Sequence, residues 1–282
     1  MNNKNNYISI YFKDSRDMSE LKNYSVQLIV TSPPYYIARE TEKYRRYDEY
    51  LSDMSEIFKE CFRVLENGCY ICIVVSDYIH KDVKYPIQFD IANILKDIGY
   101  VYKECIIWKK PVGMKNITGG RRFGVFIQHP YPYNYHPNLN IEYILIYNKK
   151  GERSYVSDKI KEESKLVYTK FKQFNSSIWE ISPVPGNKTN RHILEYPITI
   201  PKTLIHLYSY VNDTVLDPFL GSGTTALAAL QLNRKAVGYE INNIYKDIIY
   251  NKLNKYISLR KLSDNYENWY RKRNKEQLNK NR

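Results

Sequence analysis

The chain has 282 residues, 43% of them hydrophobic and 15% aromatic, enough for one large core, and no apolar run approaches the roughly 20 residues of a membrane span. The start, MNNKNNY, carries no apolar signal-peptide segment, so a cytoplasmic protein without a membrane partner is expected. A formal charge of +13 favours a polyanionic partner, since each Lys or Arg set against a phosphate releases counterions, but a composition rich in Asn, Ile and Tyr makes part of that excess background usage.

The first apolar run, VQLIV (26–30), reads as a strand buried on both faces and ends on the stiff turn TSPPYY. Leu51, Met54, Ile57, Phe58, Cys61, Phe62 and Leu65 then recur at helical spacing. CYICIVV (69–75) is a second strand; its Cys69 and Cys72, three apart, point to opposite faces and read as unbridged thiols. Ile91, Ile94, Leu95 and Ile98 mark another helix that Gly99 caps. CIIW (105–108), YILIY (143–147), TVLD (214–217) and KAVGYE (235–240) complete the strands, and TTALAALQL forms the helix joining the last two.

Strands alternating with amphipathic helices predict an α/β protein with a mostly parallel sheet covered on both sides. Two stretches break the alternation, 109–140 with its GGRRFGVFIQHPYPYNYHP and 151–190 ending SPVPGNKTN, and long irregular segments of this kind are usually functional loops. The tail after about Tyr256 is basic and polar and reads as a solvated or frayed helix, with a DNA contact as the alternative.

The chemistry concentrates in VLDPFLGSGTTALAAL (215–230), where a strand ends on Asp217, a turn uses Gly221 and Gly223, and a helix begins at about Thr224. The glycines allow a ligand close to the backbone, and the helix start offers N–H groups to an anion. No lysine stands where a phosphate-binding P-loop needs one, and the third glycine of a dinucleotide turn is missing. An acid able to hold an ammonium beside amides able to hold a carboxylate suits an amino-acid moiety. Glu240, at the tip of the next strand, occupies the place that hydrogen-bonds ribose hydroxyls in doubly wound folds. An amino acid joined to a ribose describes S-adenosylmethionine, the expected cofactor.

Consecutive prolines after a strand hold their carbonyls rigidly and free to accept hydrogen bonds. Ser32 adds a second acceptor, and Tyr35, with Tyr36 as a further candidate, offers a flat face. A planar base stacked there could give its amino hydrogens to Ser32 and the Pro33 carbonyl, aiming the nitrogen lone pair at a sulfonium methyl. That scheme uses orientation and electrostatics, with no metal and no covalent intermediate. Carbon-5 methylation of cytosine would need a cysteine nucleophile, and no cysteine follows a proline here.

These motifs resemble those of the β group of amino-methylating DNA methyltransferases, in which the catalytic motif precedes the cofactor loop by circular permutation. TSPPY resembles the family's catalytic tetrapeptide with its preceding residue, and DPFLGSGTT its cofactor loop. HILEYPITIPKTLI (192–205) is similar to the segment lining the methionine end, and Asp14 in YFKDSRD matches an acidic position at the adenosine end. CFRVLENGCYICIVV, IIWKKP and IEYILIYNK resemble core elements of the same fold.

The resemblance implies a Rossmann-like methyltransferase fold of the seven-stranded type, with a catalytic domain over 1–260, target-recognition segments at about 109–140 and 151–190, and a basic tail over 261–282. Implied catalytic residues are Ser32, Pro33, Pro34 and Tyr35. Implied cofactor contacts are Asp14, Thr31, Tyr196, Pro197, Asp217, Pro218, Phe219, Gly221, Gly223, Thr224, Thr225, Glu240 and Ile241. Arg39, Arg45, Arg46, Lys115, Arg121 and Arg122 are candidates to grip double-stranded DNA around a flipped base. Ser-Pro-Pro-Tyr is associated in the family with cytosine N4, with adenine N6 as the alternative and a non-catalytic nucleic-acid-binding module as a more distant one. A cognate restriction endonuclease is the implied genetic partner.

Overall fold

The computed structural model describes residues 7–36, 46–80, 83–111, 140–184 and 195–259. In chain order these form β1 (Ile8–Tyr11), β2 (Val26–Thr31), α1 (Tyr47–Val64), β3 (Leu65–Val75), β4 (Tyr78–His80), β5 (Val83–Tyr85), α2 (Ile87–Ile98), β6 (Tyr100–Lys109) and β7 (Ile141–Lys149). There follow α3 (Asp158–Glu163), α4 (Tyr168–Phe171), β8 (Ile178–Glu180), α5 (Thr199–Tyr208), β9 (Thr214–Asp217), α6 (Thr224–Gln231) and β10 (Lys235–Tyr239). Residues 246–259 form a further helix, α7.

Eight strands make one sheet in the order β1-β10-β9-β2-β3-β7-β6-β8, while β4 and β5 form a separate hairpin. The pairs from β1 to β3 are parallel; β7 runs antiparallel to both β3 and β6. The predicted fold class is therefore present, with one short strand more than the seven expected: β8 pairs with β6 inside a stretch the sequence pattern reads as irregular.

The apolar strands are buried on both faces because helices cover both. On one face α1 and α2 contribute Tyr50, Met54, Phe58, Ile91 and Leu95 to a core that includes Ile29, Ile71 and Ile73. On the other, α5, α6 and α7 pack Leu204, Ala229 and Ile249 against Leu28, Val30 and Val74. Cys69 belongs to the first core and Cys72 to the second, as their spacing predicts. Burial alone drives the Cys72 thiol above its ordinary range, so it stays protonated.

Helix α1 ends one residue earlier than its apolar spacing suggests, with Leu65 already in β3. Gly99 caps α2 in the left-handed conformation, φ 108°, and its N–H donates to the Leu95 and Lys96 carbonyls.

The connections fix where a ligand can sit. From β2 the chain passes through α1 to β3 on one side, whereas from β9 it passes through α6 to β10 on the other side. Strands β2 and β9 are hydrogen-bonded neighbours, Leu28 opposite Val215 and Ile29 opposite Leu216. Departure in opposite directions opens a crevice beyond their carboxyl ends, the usual ligand site of open α/β sheets.

Candidate active site

That crevice lies between Thr31 and Asp217. The Thr31 hydroxyl donates to Asp217 Oδ1 at 2.5 Å, the Thr225 hydroxyl to Oδ2 at 2.5 Å, and the Phe219 N–H to Oδ1 at 3.1 Å. Asp217 is 2% exposed, and this burial raises its carboxyl to about 6, against the lowering effect of its three donors. The acid thus ties the tip of β9, the first turn of α6 and the tip of β2 into one unit. Tyr196 joins it, its hydroxyl in a short hydrogen bond with Thr225 Oγ1, and Pro197 is buried beside it.

The turn after β9 follows from its sequence. Gly221 and Gly223 have φ of 51° and 83°, left-handed values that an L side chain adopts only at a cost, and the Gly223 N–H closes the turn on the Leu220 carbonyl at 2.9 Å. Leu220 packs over Gly238 of β10 so closely that a Cβ there would stand 2.6 Å from Leu220 Cδ2. Helix α6 then starts at Thr224 with its first N–H groups at the mouth of the crevice.

Three acids stand at three successive strand tips: Asp217 as the last residue of β9, Glu240 directly after β10 and Asp14 just beyond β1. Glu240 Oε2 accepts the Gly221 N–H at 2.7 Å and Oε1 the Asn242 N–H at 2.8 Å, so it buttresses the glycine turn as well as facing the crevice edge. Asp14 accepts the Arg16 Nη2 at 2.8 Å, and Arg16 in turn reaches Asp53 of α1 at 2.9 Å. Ile241 follows Glu240 and is 61% exposed. Pro218 and Phe219 follow Asp217, with the Phe219 ring edge-on to Phe58 of α1.

Across the crevice, Ser32 donates its hydroxyl to the Val74 carbonyl of β3 at 2.9 Å. A hydroxyl has one proton, so this bond leaves the Ser32 oxygen as an acceptor toward any ligand. Pro33 is buried and Pro34 half-buried. Tyr35 stacks on Tyr78 of the β4–β5 hairpin with ring centroids 5.5 Å apart and planes at 21°. Burial, aided by Glu142, raises the Tyr35 hydroxyl well above its usual range and keeps it neutral.

Tyr36 does not share the flat face for which its sequence position made it a candidate: it is 5% exposed, packed edge-on to Tyr47 and Tyr85. It is a wedge under the turn.

Two features near Tyr35 escaped the sequence reading. Tyr78 is one, an aromatic placed shortly past the end of β3. The other is the Lys110–Glu142 ion pair, 2.6 Å apart and nearly fully buried at the adjoining ends of β6 and β7. The only hint in the sequence was the pair of lysines closing CIIWKK.

Of the expected DNA contacts, Arg46 lies among the described residues; it is exposed and its guanidinium pairs with Asp48 at the start of α1. Arg39, Arg45, Lys115, Arg121 and Arg122 lie outside the described residues, as do 112–139 of the first recognition segment, 185–190 of the second and the tail.

The family model described as DNA methylase, the N6/N4 methyltransferases, matches residues 26–251. Type II methyltransferase M.MjaI of Methanocaldococcus jannaschii is 32% identical, over 86% of this chain and 90% of its own. Type II methyltransferase M.MthZI of Methanothermobacter thermautotrophicus is 30% identical, over 92% of this chain and 81% of its own. Among solved structures, TTHA0409 of Thermus thermophilus, crystallised with S-adenosyl-L-methionine, superposes with a TM-score of 0.70 at 26% identity, covering 88% of this chain and 95% of that one.

Proposed function

This chain belongs to the DNA methylase family, and we propose from that premise that it methylates the exocyclic N4 amino group of a cytosine flipped out of duplex DNA. Its coarser activity, methylation of a DNA amino group with S-adenosylmethionine, is that of the family. The Ser-Pro-Pro-Tyr sequence supports cytosine as the base, through the family association of serine at that position. The single observation that carries the mechanism is the adjacency of Thr31 and Asp217, which brings the tetrapeptide and the glycine turn to one crevice.

The residues fit the cofactor. Asp217 Oδ2 takes one donor from the protein where Oδ1 takes two, leaving an acceptor position suited to an ammonium. The N-terminus of α6 and the glycine turn suit a carboxylate, Glu240 the ribose and Asp14 the adenine end. Thr31, Tyr196, Pro197, Pro218, Phe219, Thr224, Thr225 and Ile241 form the surrounding wall. When bound, the cofactor supplies an electrophilic methyl on a sulfonium.

The protein's part is placement. The base stacks on Tyr35, and its amino group gives one hydrogen to Ser32 Oγ and the other to the Pro33 carbonyl. Ser32 can only accept, because its own proton is held by Val74. Two acceptors set to one side of the ring plane would pyramidalise the amino nitrogen, taking its lone pair out of conjugation and directing it to the opposite side. The proton that the methylated nitrogen would lose can pass by way of the Ser32 oxygen to solvent, and Tyr35, backed by Tyr78, covers one face of the base.

The catalytic domain spans 1–260, and the segments at 109–140 and 151–190 read the target sequence, with the tail over 261–282 as a basic extension. A restriction endonuclease of the same specificity is the expected genetic partner. Tritiated methyl transfer to unmethylated duplex DNA, followed by digestion to nucleosides and chromatography against standards, tests the reading. N4-methylcytosine is expected; N6-methyladenine would move the assignment to adenine, and absence of label from a protein that binds cofactor would make the chain a binding module.

A further inference from the structure

Lys252 lies on α7, between the buried Ile249 and Leu253, and its side chain turns toward the glycine turn. Its ammonium donates to Ser222 Oγ at 2.9 Å, to Thr224 Oγ1 at 3.2 Å and to Glu195 Oε1 at 3.1 Å. Three segments remote in sequence meet on one cation: the residue between the two glycines, the first residue of α6, and the residue before Tyr196.

The electrostatics of this arrangement are unusual. A helix N-terminus carries partial positive charge and prefers an anion, yet here it holds a cation. Glu195 offsets part of that charge, but it is itself a quarter exposed, and water screens its hold on the ammonium. An ammonium has donors and no acceptor, so each hydroxyl that accepts from it must turn its own proton elsewhere. Ser222 and Thr224 are 3.2 Å apart and share one of their two protons between them. The other hydroxyl proton, with the first N–H groups of α6, forms a donor set beside a positive charge, and both hydroxyl residues are buried. Such a set is complete when a carboxylate joins it.

We propose that Lys252 is a positioning residue for the α-carboxylate of the cofactor, acting through Ser222 and Thr224 and supplying the positive charge that the carboxylate neutralises. The inference rests on the reading of the crevice as the S-adenosylmethionine site and adds to it a residue outside every motif. It also gives Glu195 a role: its carboxylate competes with the ligand for the same ammonium.

Calorimetric titration of the full chain with S-adenosylmethionine and with decarboxylated S-adenosylmethionine separates the possibilities. Lys252→Met is expected to weaken the first by about tenfold or more, the worth of one charge-assisted hydrogen bond, and to leave the second within about twofold. Lys252→Arg is expected to restore most of the loss. Equal losses on both ligands would show that Lys252 merely shapes the turn and would overturn the proposal, as would an unchanged affinity for S-adenosylmethionine.

Glu195→Gln, which keeps the lysine, provides a second reading should Lys252→Met fail to fold. Removal of the competing carboxylate is expected to tighten S-adenosylmethionine severalfold without changing the decarboxylated ligand, and weaker binding of S-adenosylmethionine would count against the proposal. A wild-type chain that binds neither ligand would remove the cofactor reading itself and this inference with it, whereas failure of the variants alone would leave that reading standing.

Discussion

Thr31 and Asp217 stand 186 residues apart in the chain and 2.5 Å apart in the fold, hydroxyl to carboxylate, with both side chains shut away from water. Replacing Thr31 by Val keeps its shape and deletes the donor, leaving a buried carboxylate oxygen with one bond fewer. The expected cost is about 1–3 kcal/mol of stability, read as a lower urea midpoint, together with weaker cofactor binding as Asp217 loses its anchor on β2. Thr31→Ser should retain both properties. An unchanged midpoint in Thr31→Val would mean that the bond contributes nothing net.

The titration of Asp217 gives a pH dependence with a definite sign. Burial raises its carboxyl from an ordinary 3.8 to about 6, so between those values the folded protein holds a proton that the unfolded chain has released. The stability contributed by this group is present at low pH and is lost as pH rises through about 6. Ammonium binding runs the other way, because it needs the ionised form. Affinity for S-adenosylmethionine should therefore fall as pH drops below about 6, and Asp217→Asn should bind weakly with no such dependence across pH 5 to 8. A wild-type affinity flat over that range would remove Asp217 from the ammonium site.

Tyr35 tests the base-stacking role. Tyr35→Phe preserves the ring face and the contact with Tyr78, and should keep turnover within a few-fold of wild type. Tyr35→Ala should lower kcat/KM for DNA roughly 10- to 100-fold, the worth of one stacked base, while the dissociation constant for cofactor holds. If the alanine variant turns over normally, the base rests elsewhere.

Gly238 tests the packing beneath the turn. Its alanine variant would drive a methyl to within 2.6 Å of Leu220, a buried side chain with little room to move. Overpacking of that size should cost about 1–3 kcal/mol and displace the turn, so the melting temperature and cofactor affinity should fall together. Loss of stability with full affinity would show that the turn relaxes without disturbing the ligand.

The central strands were legible because burial on two faces leaves continuous apolar runs, as in Val26–Val30 and Cys69–Val75. The edges were not. β1 has four residues and β8 three, too short for any period to show, and the β4–β5 hairpin carries no apolar run. Helix α5 was read for its resemblance to a cofactor-lining segment and not as a helix, since Pro201 interrupts its pattern; the ring sits in the first turn, where its missing N–H costs little. Asp217 and Glu240 could be placed at strand tips from chemistry alone, whereas their protein donors, Thr31, Thr225 and the Gly221 amide, emerge only from the folded geometry. Lys252 and Tyr78 left no mark because a lysine on a polar helix and a tyrosine among 29 look ordinary until their neighbours are known.

The reversed direction of β7 sets what the sheet tolerates at one rim. Because β6 ends and β7 begins at the same rim, the Lys110 N–H can close on the Asn140 carbonyl at 2.8 Å, pinching shut the neck of whatever the chain inserts between them. Closing a longer loop across such a fixed neck adds only slowly to its entropic cost. Insertions of differing length at this neck would therefore leave β6, β7 and the sheet beside them undisturbed.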